Sequence, residues 1–169
     1  CVTGDMTMSI SRCTQNPTMG EEWRRGWHPE IISPRGASEK VLVVGAGPAG
    51  LEAAMSLGQR GYEVALADSG DGGGRAVREA TLPGLASYKR GRDYRLAQIA
   101  RSTHISFYPG SKMDGPSIRD FGADQVLIAT GSYWRTDGLG RATFAPVPGI
   151  EDHPQCLTPD HIVAGTLPA

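Results

Sequence analysis

Apolar residues fall in short continuous runs through the middle of the chain, with helix-forming stretches between them. Residues 41–44 and 64–67 are uninterrupted apolar segments, which is typical of parallel strands that are buried on both faces. We expect a further strand at residues 105–108 and another buried strand at residues 125–129. Strands that alternate with helices in this way predict an α/β fold with a doubly wound, mostly parallel sheet.

Residues that favour helix ends mark the predicted helices. Pro48 suits the first helical position, where its missing N–H costs nothing, and Gly61 suits a left-handed stop. These two residues predict a helix over residues 48–60. A second helix is predicted over residues 93–102. A short third helix is predicted within residues 158–165, which begin with the N-cap sequence Thr-Pro-Asp and reach a stopping glycine.

Glycines follow the first predicted strand at the spacing of a nucleotide-binding turn. Gly45 allows a tight turn, Gly47 lets the backbone approach a pyrophosphate, and Gly50 lets the helix pack closely on the sheet. Asp68 ends the second predicted strand, where its carboxylate can accept hydrogen bonds from ribose hydroxyls and would repel a 2′-phosphate. The pattern indicates an ADP moiety in a Rossmann-like FAD/NAD(P)-binding domain, and it does not distinguish FAD, NAD and free ADP.

Further candidates surround this turn. The helix that starts at Pro48 presents free N–H groups to phosphates. A Gly-Gly-Gly-Arg loop follows Asp68, and the predicted strand at residues 125–129 runs into Thr-Gly, which can bring backbone close to a dinucleotide. We therefore assign nucleotide binding to Gly45, Gly47, Pro48, Ala49, Gly50, Asp68, Gly73, Gly74, Arg75, Thr130 and Gly131.

Composition argues against some classes of protein and favours one cellular compartment. The chain has 169 residues, with 17 basic and 18 acidic side chains, and this balance argues against nucleic-acid binding. We expect no membrane span, because no apolar run approaches the required length. Three cysteines are an odd count without a disulfide framework, which favours a reducing cytoplasm. The small number of apolar residues suggests that the chain is a piece of a larger protein. We divide it into an irregular segment at residues 1–37 and an α/β domain at residues 38–169, and we expect that domain to be incomplete at its C-terminal end.

The chain resembles the trimethylamine and dimethylamine dehydrogenase family. The resemblance rests first on Cys-Thr-Gln-Asn-Pro-Thr at residues 13–18 and Gly-Glu-Glu-Trp-Arg-Arg-Gly-Trp-His-Pro-Glu at residues 20–30. It continues in Leu-Pro-Gly-Leu at residues 82–85, Arg-Asp-Tyr-Arg at residues 92–95 and Ala-Thr-Gly at residues 129–131. The chain is more distantly similar to 2,4-dienoyl-CoA reductases and other old-yellow-enzyme fusions.

The resemblance implies an iron–sulfur flavoprotein that oxidises an amine. It implies an FMN-containing barrel, a 4Fe–4S cluster and an ADP or FAD domain, with electrons passing from FMN through the cluster to an electron-transferring flavoprotein. Cys1 and Cys13 match the third and fourth cluster cysteines, so the first two would precede this chain. The barrel and C-terminal domain would be further partners, within a homo-oligomer. No catalytic residue is assigned here, and Cys156 is expected to be an ordinary thiol.

Two alternatives remain open. One is an NAD(P)H-dependent enzyme of the dienoyl-CoA reductase type, in which this domain holds a working FAD. The other is a non-catalytic module that binds ADP only to stabilise its neighbours. A basic stretch at residues 89–101 is expected to be a solvated helix face, with a phosphate contact or a docking patch for an acidic partner as the alternative.

Overall fold

A parallel sheet organises the chain. The structure is a computed structural model that describes residues 6, 8, 13, 15–21, 23–26, 31–140, 142–151 and 153–166. Within these ranges the sheet has four strands in the order β3-β2-β1-β4, and all of its pairings are parallel. The strands are β1 at Lys40–Val44, β2 at Glu63–Ala67, β3 at Ile105–Tyr108 and β4 at Gln125–Ile128. The predicted α/β class is confirmed, and the strand positions agree with those predicted to within one residue.

The register aligns the carboxyl ends of the strands. Val44 of β1 pairs with Ala67 of β2 on one side and with Ile128 of β4 on the other, and Ala67 pairs with Tyr108 of β3. The loops that leave these residues therefore start side by side along one edge. In open parallel sheets this carboxyl edge is where ligands bind.

Helices connect and cover the strands. The helices with residue bounds in the described part are α1 at Pro48–Gln59, α2 at Gly74–Glu79, α3 at Lys89–Arg101, α4 at Gly115–Asp120 and α5 at Pro159–Val163, with a short 3-10 turn at Ala86–Tyr88. None of the helices in the described ranges is long and apolar enough to cross a bilayer.

The predicted boundaries of α1 are confirmed. Pro48 occupies the first turn, and Gly61 has a φ of +90° just beyond the helix. The N–H of Gly61 donates to the carbonyl of Gly58 at 2.9 Å, and the N–H of Tyr62 donates to the carbonyl of Leu57 at 3.1 Å. These two bonds satisfy carbonyls that the last turn would otherwise leave open, so they stop the helix at a defined place.

Two apolar clusters lie on opposite faces of the sheet. On one face, side chains that include Val43 and Leu66 pack against Leu51 of α1 and Ile99 of α3. On the other face, a smaller cluster has Ile118 of α4 packed against it. Helices on both faces make the sheet doubly wound, as the sequence predicts.

The structure corrects the expectation for β4. The strand forms where predicted, but Leu127 is 39% exposed and Ile128 is 60% exposed, so it is not a buried strand in this chain. Its position explains the difference, because within the part of the chain that the structure describes β4 ends the strand order and pairs with β1 alone. Two helices, α2 and α4, were not predicted, and α3 begins at Lys89 rather than at residue 93.

Candidate functional site

The glycine-rich turn forms at the carboxyl end of β1. Gly50, in the first turn of α1, carries no side chain because a Cβ there would overlap the carbonyl oxygen of Gly45. A Cβ on Gly45 would in turn overlap the carbonyl of Ala129. Gly47 differs from both, since a Cβ on it would meet nothing within 4 Å. The turn therefore packs tightly against the protein at Gly45 and Gly50, and opens onto free space at Gly47.

The start of α1 borders this open space. Gly47 is the N-cap of α1, and Pro48 and Ala49 are exposed in the first turn. N–H groups of a first helical turn have no acceptor within the helix and carry the positive end of its dipole. The open space and these donors together fit a pyrophosphate group.

Asp68 is tied directly to the glycine-rich turn. Its Oδ2 accepts a hydrogen bond from the backbone N–H of Ala46 at 2.6 Å, and its Oδ1 accepts one from the N–H of Gly70 at 2.7 Å. The carboxylate is held in a fixed orientation, and each oxygen keeps acceptor capacity for a further donor. This arrangement fits a ribose that offers two hydroxyl groups.

The triple-glycine loop lies against the same turn. The N–H of Gly73 donates to the carbonyl of Ala46 at 2.7 Å, and a Cβ on Gly74 would stand 3.2 Å from the Cα of Gly47. Gly73 and Gly74 are thus brought beside Gly47, as the sequence predicts for residues of one site.

Thr130 and Gly131 follow β4 at the carboxyl edge. The N–H of Ala129 donates to the carbonyl of Val44 at 2.7 Å, which brings the end of β4 beside the glycine-rich turn. Both Thr130 and Gly131 are exposed. The structure thus groups the glycines, Asp68 and Thr130 on one edge of the sheet.

Arg75 has different partners from the other candidates. Its Nη2 donates to Asp160 Oδ1 at 2.9 Å, its Nη1 lies 3.6 Å from Glu79 Oε1, and its guanidinium stands 5.6 Å from the ring centre of Trp134. Asp160 also accepts hydrogen bonds from Arg78 and from the N–H of Trp134. Arg75 therefore joins α2 to α5 and to the segment after β4.

Asp160 holds this cluster together as an anion. The hydrogen bond from the backbone N–H of Trp134 lowers the pKa of its carboxyl group most, and the charges of Arg75 and Arg78 lower it further. The N-terminus of α5 is thereby fastened to α2.

Backbone hydrogen bonds at Cys13 favour the thiolate form of its side chain. The backbone N–H of Gln15 approaches its sulfur at 3.4 Å, and hydrogen bonds from the backbone N–H groups of Gln15 and then Asn16 lower the pKa of the thiol. The thiolate is the form that binds iron, so Cys13 fits the role of a cluster ligand. Cys1 lies outside the described residues.

The rest of a metal site is not assembled in the described ranges, where no group of three or more His, Cys, Asp or Glu side chains could hold a metal ion. Cys156 is exposed and free. With three cysteines in 169 residues, this chain cannot supply four thiolates by itself.

Arg95 is a residue whose importance the sequence analysis missed. Expected on a solvated helix face, it is buried, with 7% of its surface exposed. Its Nε donates to Glu52 Oε2 at 2.6 Å, its Nη1 to the carbonyl of Gly91 at 2.9 Å, and its Nη2 to the carbonyl of Gln15 at 3.1 Å. The available signal was helical spacing, because Arg95 lies one turn before the buried Ile99.

Known proteins resemble both the sequence and the structure. Residues 39–161 match the pyridine nucleotide-disulphide oxidoreductase family. Dimethylamine dehydrogenase from Hyphomicrobium sp. (strain x) is 43% identical over 161 residues, which cover 90% of this chain and 22% of that protein.

Two solved structures share the fold over almost the whole chain. Histamine dehydrogenase from Rhizobium sp. 4-9 is 51% identical, with a TM-score of 0.85 over 99% of this chain and 24% of that one. The 6-hydroxypseudooxynicotine amine oxidase from Pseudomonas geniculata N1 is 46% identical, with a TM-score of 0.88 over 99% of this chain and 25% of that one.

This chain spans about a quarter or less of the length of these relatives. They are oxidoreductases of amines by name. The chain belongs to the pyridine nucleotide-disulphide oxidoreductase family and, within it, to the group of the dimethylamine dehydrogenase relatives.

Proposed function

We propose that this chain is the adenine-nucleotide-binding part of an iron–sulfur flavoprotein amine dehydrogenase. In the whole protein, electrons from a small amine would pass from FMN through a 4Fe–4S cluster to an electron-transferring flavoprotein. The observation that carries the nucleotide assignment is the open space at Gly47, bordered by the start of α1 and by the fixed carboxylate of Asp68.

Each candidate residue has a defined task in this proposal. The first N–H groups of α1 bind the phosphates, and the absence of a side chain at Gly47 leaves room for them. Asp68 accepts hydrogen bonds from the ribose. Gly73, Gly74 and Thr130 form the wall of the site, and Arg75 supports that wall through Asp160.

Cys1 and Cys13 supply two of the four cluster thiolates in the proposal. A bound cluster would carry one electron at a time. The chain's own contribution near the cluster is to hold the Cys13 sulfur with backbone N–H groups. Amine specificity and bond breaking belong to the part of the protein that holds FMN.

The identity of the bound nucleotide tests the proposal. The whole protein is denatured in acid, and the released nucleotides are separated by chromatography and identified by mass. ADP without FAD, together with FMN, iron and acid-labile sulfide, is the expected result. Stoichiometric FAD would instead favour the reductase-type alternative. Release of no adenine nucleotide would overturn the nucleotide assignment.

A matched variant separates a working domain from a purely structural module. The Gly47→Ala variant of the whole protein is compared with wild type for bound nucleotide and for turnover per folded molecule. Loss of nucleotide with lower turnover supports a role in electron transfer. Loss of nucleotide with lower stability but unchanged turnover would support the module that only stabilises its neighbours.

A further inference from the structure

A single residue, Gln15, connects Arg95 to the sulfur of Cys13. The carbonyl of Gln15 accepts a hydrogen bond from Arg95 Nη2 at 3.1 Å. The N–H of the same residue donates to Cys13 Sγ at 3.4 Å. Arg95 and the sulfur are therefore bound to the two polar backbone groups of one residue.

The position of Arg95 therefore controls where a donor to Cys13 points. A guanidinium on the carbonyl oxygen makes a charge-assisted hydrogen bond that fixes the position of Gln15, and with it the direction in which the Gln15 N–H points. Arg95 is itself held firmly, because its Nε donates to Glu52 and its Nη1 donates to the carbonyl of Gly91. A displacement of Gln15 is thus resisted by a buried side chain that two further hydrogen bonds hold in place.

Glu52 makes this arrangement part of the nucleotide domain. It lies in α1, the helix that begins at Pro48, and it accepts from Arg95 across 43 residues of sequence. Gln15 lies 80 residues before Arg95 in sequence. The nucleotide helix and the Cys13 segment are therefore joined through one arginine.

Hydrogen bonds to cysteine sulfur are among the factors that set the reduction potential of an iron–sulfur cluster. N–H donors stabilise the reduced cluster more than the oxidised one, because the reduced cluster carries more negative charge. We propose that Arg95 is a positioning residue for the cluster, which aims the Gln15 N–H at Cys13 and thereby raises the cluster's reduction potential. This inference rests on the proposed function, because it requires Cys13 to be a cluster ligand.

The test measures the cluster in the whole protein. Wild type, Arg95→Gln and Arg95→Lys are compared by iron and sulfide content, by the electron paramagnetic resonance spectrum of the reduced cluster, and by redox titration. Arg95→Gln is expected to lower the midpoint potential and change the spectrum. Arg95→Lys is expected to shift both by less, since one ammonium keeps the charge but cannot hold all three acceptors.

Arg101→Gln is the matched control. It removes a positive charge from an exposed position of the same helix, so the midpoint potential of the cluster in this variant should equal that of wild type. A potential in Arg95→Gln that equals wild type would overturn the inference. If Arg95→Gln does not fold, the Arg95→Lys variant is the test. A midpoint potential of the cluster in Arg95→Lys that equals wild type would then overturn the inference.

A failure of the proposed function would be distinguishable from a failure of the inference about Arg95. Wild-type protein that contains no iron and no acid-labile sulfide would refute the cluster assignment itself, whatever the variants show. Wild-type protein with a full cluster, combined with an unshifted Arg95→Gln variant, would leave the cluster assignment intact and refute the role of Arg95 alone.

Discussion

The carboxylate of Asp68 and the backbone N–H of Ala46 form a 2.6 Å hydrogen bond across 22 residues of sequence. This bond joins the end of β2 to the glycine-rich turn that leaves β1. A carboxylate that is already anchored loses little conformational freedom when it binds a ligand. The proposed ribose contact is therefore preorganised by the protein.

Gly47→Ala is expected to separate nucleotide binding from folding. The Cβ meets no protein atom and the φ of −67° is ordinary, so stability should change by less than about 1 kcal/mol. The new methyl group enters the space assigned to phosphate, so ADP affinity should fall at least about tenfold, or about 1.4 kcal/mol. Calorimetric titration and thermal unfolding measure the two effects.

Gly50→Ala is the contrasting control for that experiment. Its Cβ would overlap the carbonyl oxygen of Gly45, so the turn must shift and the protein should lose several kcal/mol of stability, roughly the cost of overpacking or more. Equal stability of the two variants would contradict the packing described for the turn.

Asp68→Asn is expected to weaken discrimination against a 2′-phosphate. The negative charge of Asp68 opposes a phosphate on the ribose, and two charges about 4 Å apart interact by about 1 to 4 kcal/mol near a protein surface. The ratio of affinities for ADP and for 2′-phospho-ADP should fall about tenfold in the variant. Asp71→Asn removes an exposed charge from the following loop and serves as control. An unchanged ratio in Asp68→Asn would argue against a ribose contact.

Asp137 predicts an acid-dependent loss of stability in the segment after β4. Hydrogen bonds from Arg135 above all, and then from the N–H of Leu139, lower the pKa of its carboxyl group to about 2. Because the folded-state pKa lies below the unfolded value of about 4, the stabilisation is complete above about pH 4 and disappears as the pH falls towards 2.

Thermal unfolding of wild type and Asp137→Asn across that pH window measures this effect. The variant should be less stable at pH 7, and the difference should shrink below pH 4. Asp120→Asn, at an exposed position of α4, should show no such convergence. A difference between wild type and Asp137→Asn that stays constant to pH 2 would contradict the assignment.

ADP should stabilise the isolated 169-residue chain. A ligand that binds only the folded state adds about 2.7 kcal/mol of stability when its concentration is one hundred times its dissociation constant. We expect marginal stability without ADP and a melting temperature that rises with each addition of ADP up to millimolar concentrations. A cooperative melting transition whose midpoint temperature does not change in millimolar ADP would contradict the proposed site.

Local sequence was sufficient to predict the elements at the centre of the fold. The apolar run of β1, the glycines after it, Pro48 at the start of α1 and Gly61 beyond its end act within a few residues of one another, so each feature could be predicted directly. The helix α4 was missed although Asp114 caps it, accepting from the N–H of Ser117 at 2.9 Å. Its Gly-Pro start resembles a turn, which hid this signal.

Arg95 and β4 show what depended on tertiary structure. An arginine in a basic stretch and an arginine buried against Glu52 have the same local sequence, and only the packing of α3 on α1 distinguishes them. The apolar residues of β4 predict a strand, but their burial depends on which elements lie beside it, and β4 lies at the edge of the sheet.

The sequence by itself determined the strand segments, the main helix, the glycine-rich turn and the residue types able to bind an adenine nucleotide, because the residue patterns that mark them each lie within a short stretch of the chain. Tertiary structure decided that Asp68 is fixed by Ala46, that Arg75 is bound by Asp160, and that Arg95 connects Glu52 to Gln15. These contacts join residues 22 to 85 positions apart, and such pairs meet only once the sheet has brought their elements together.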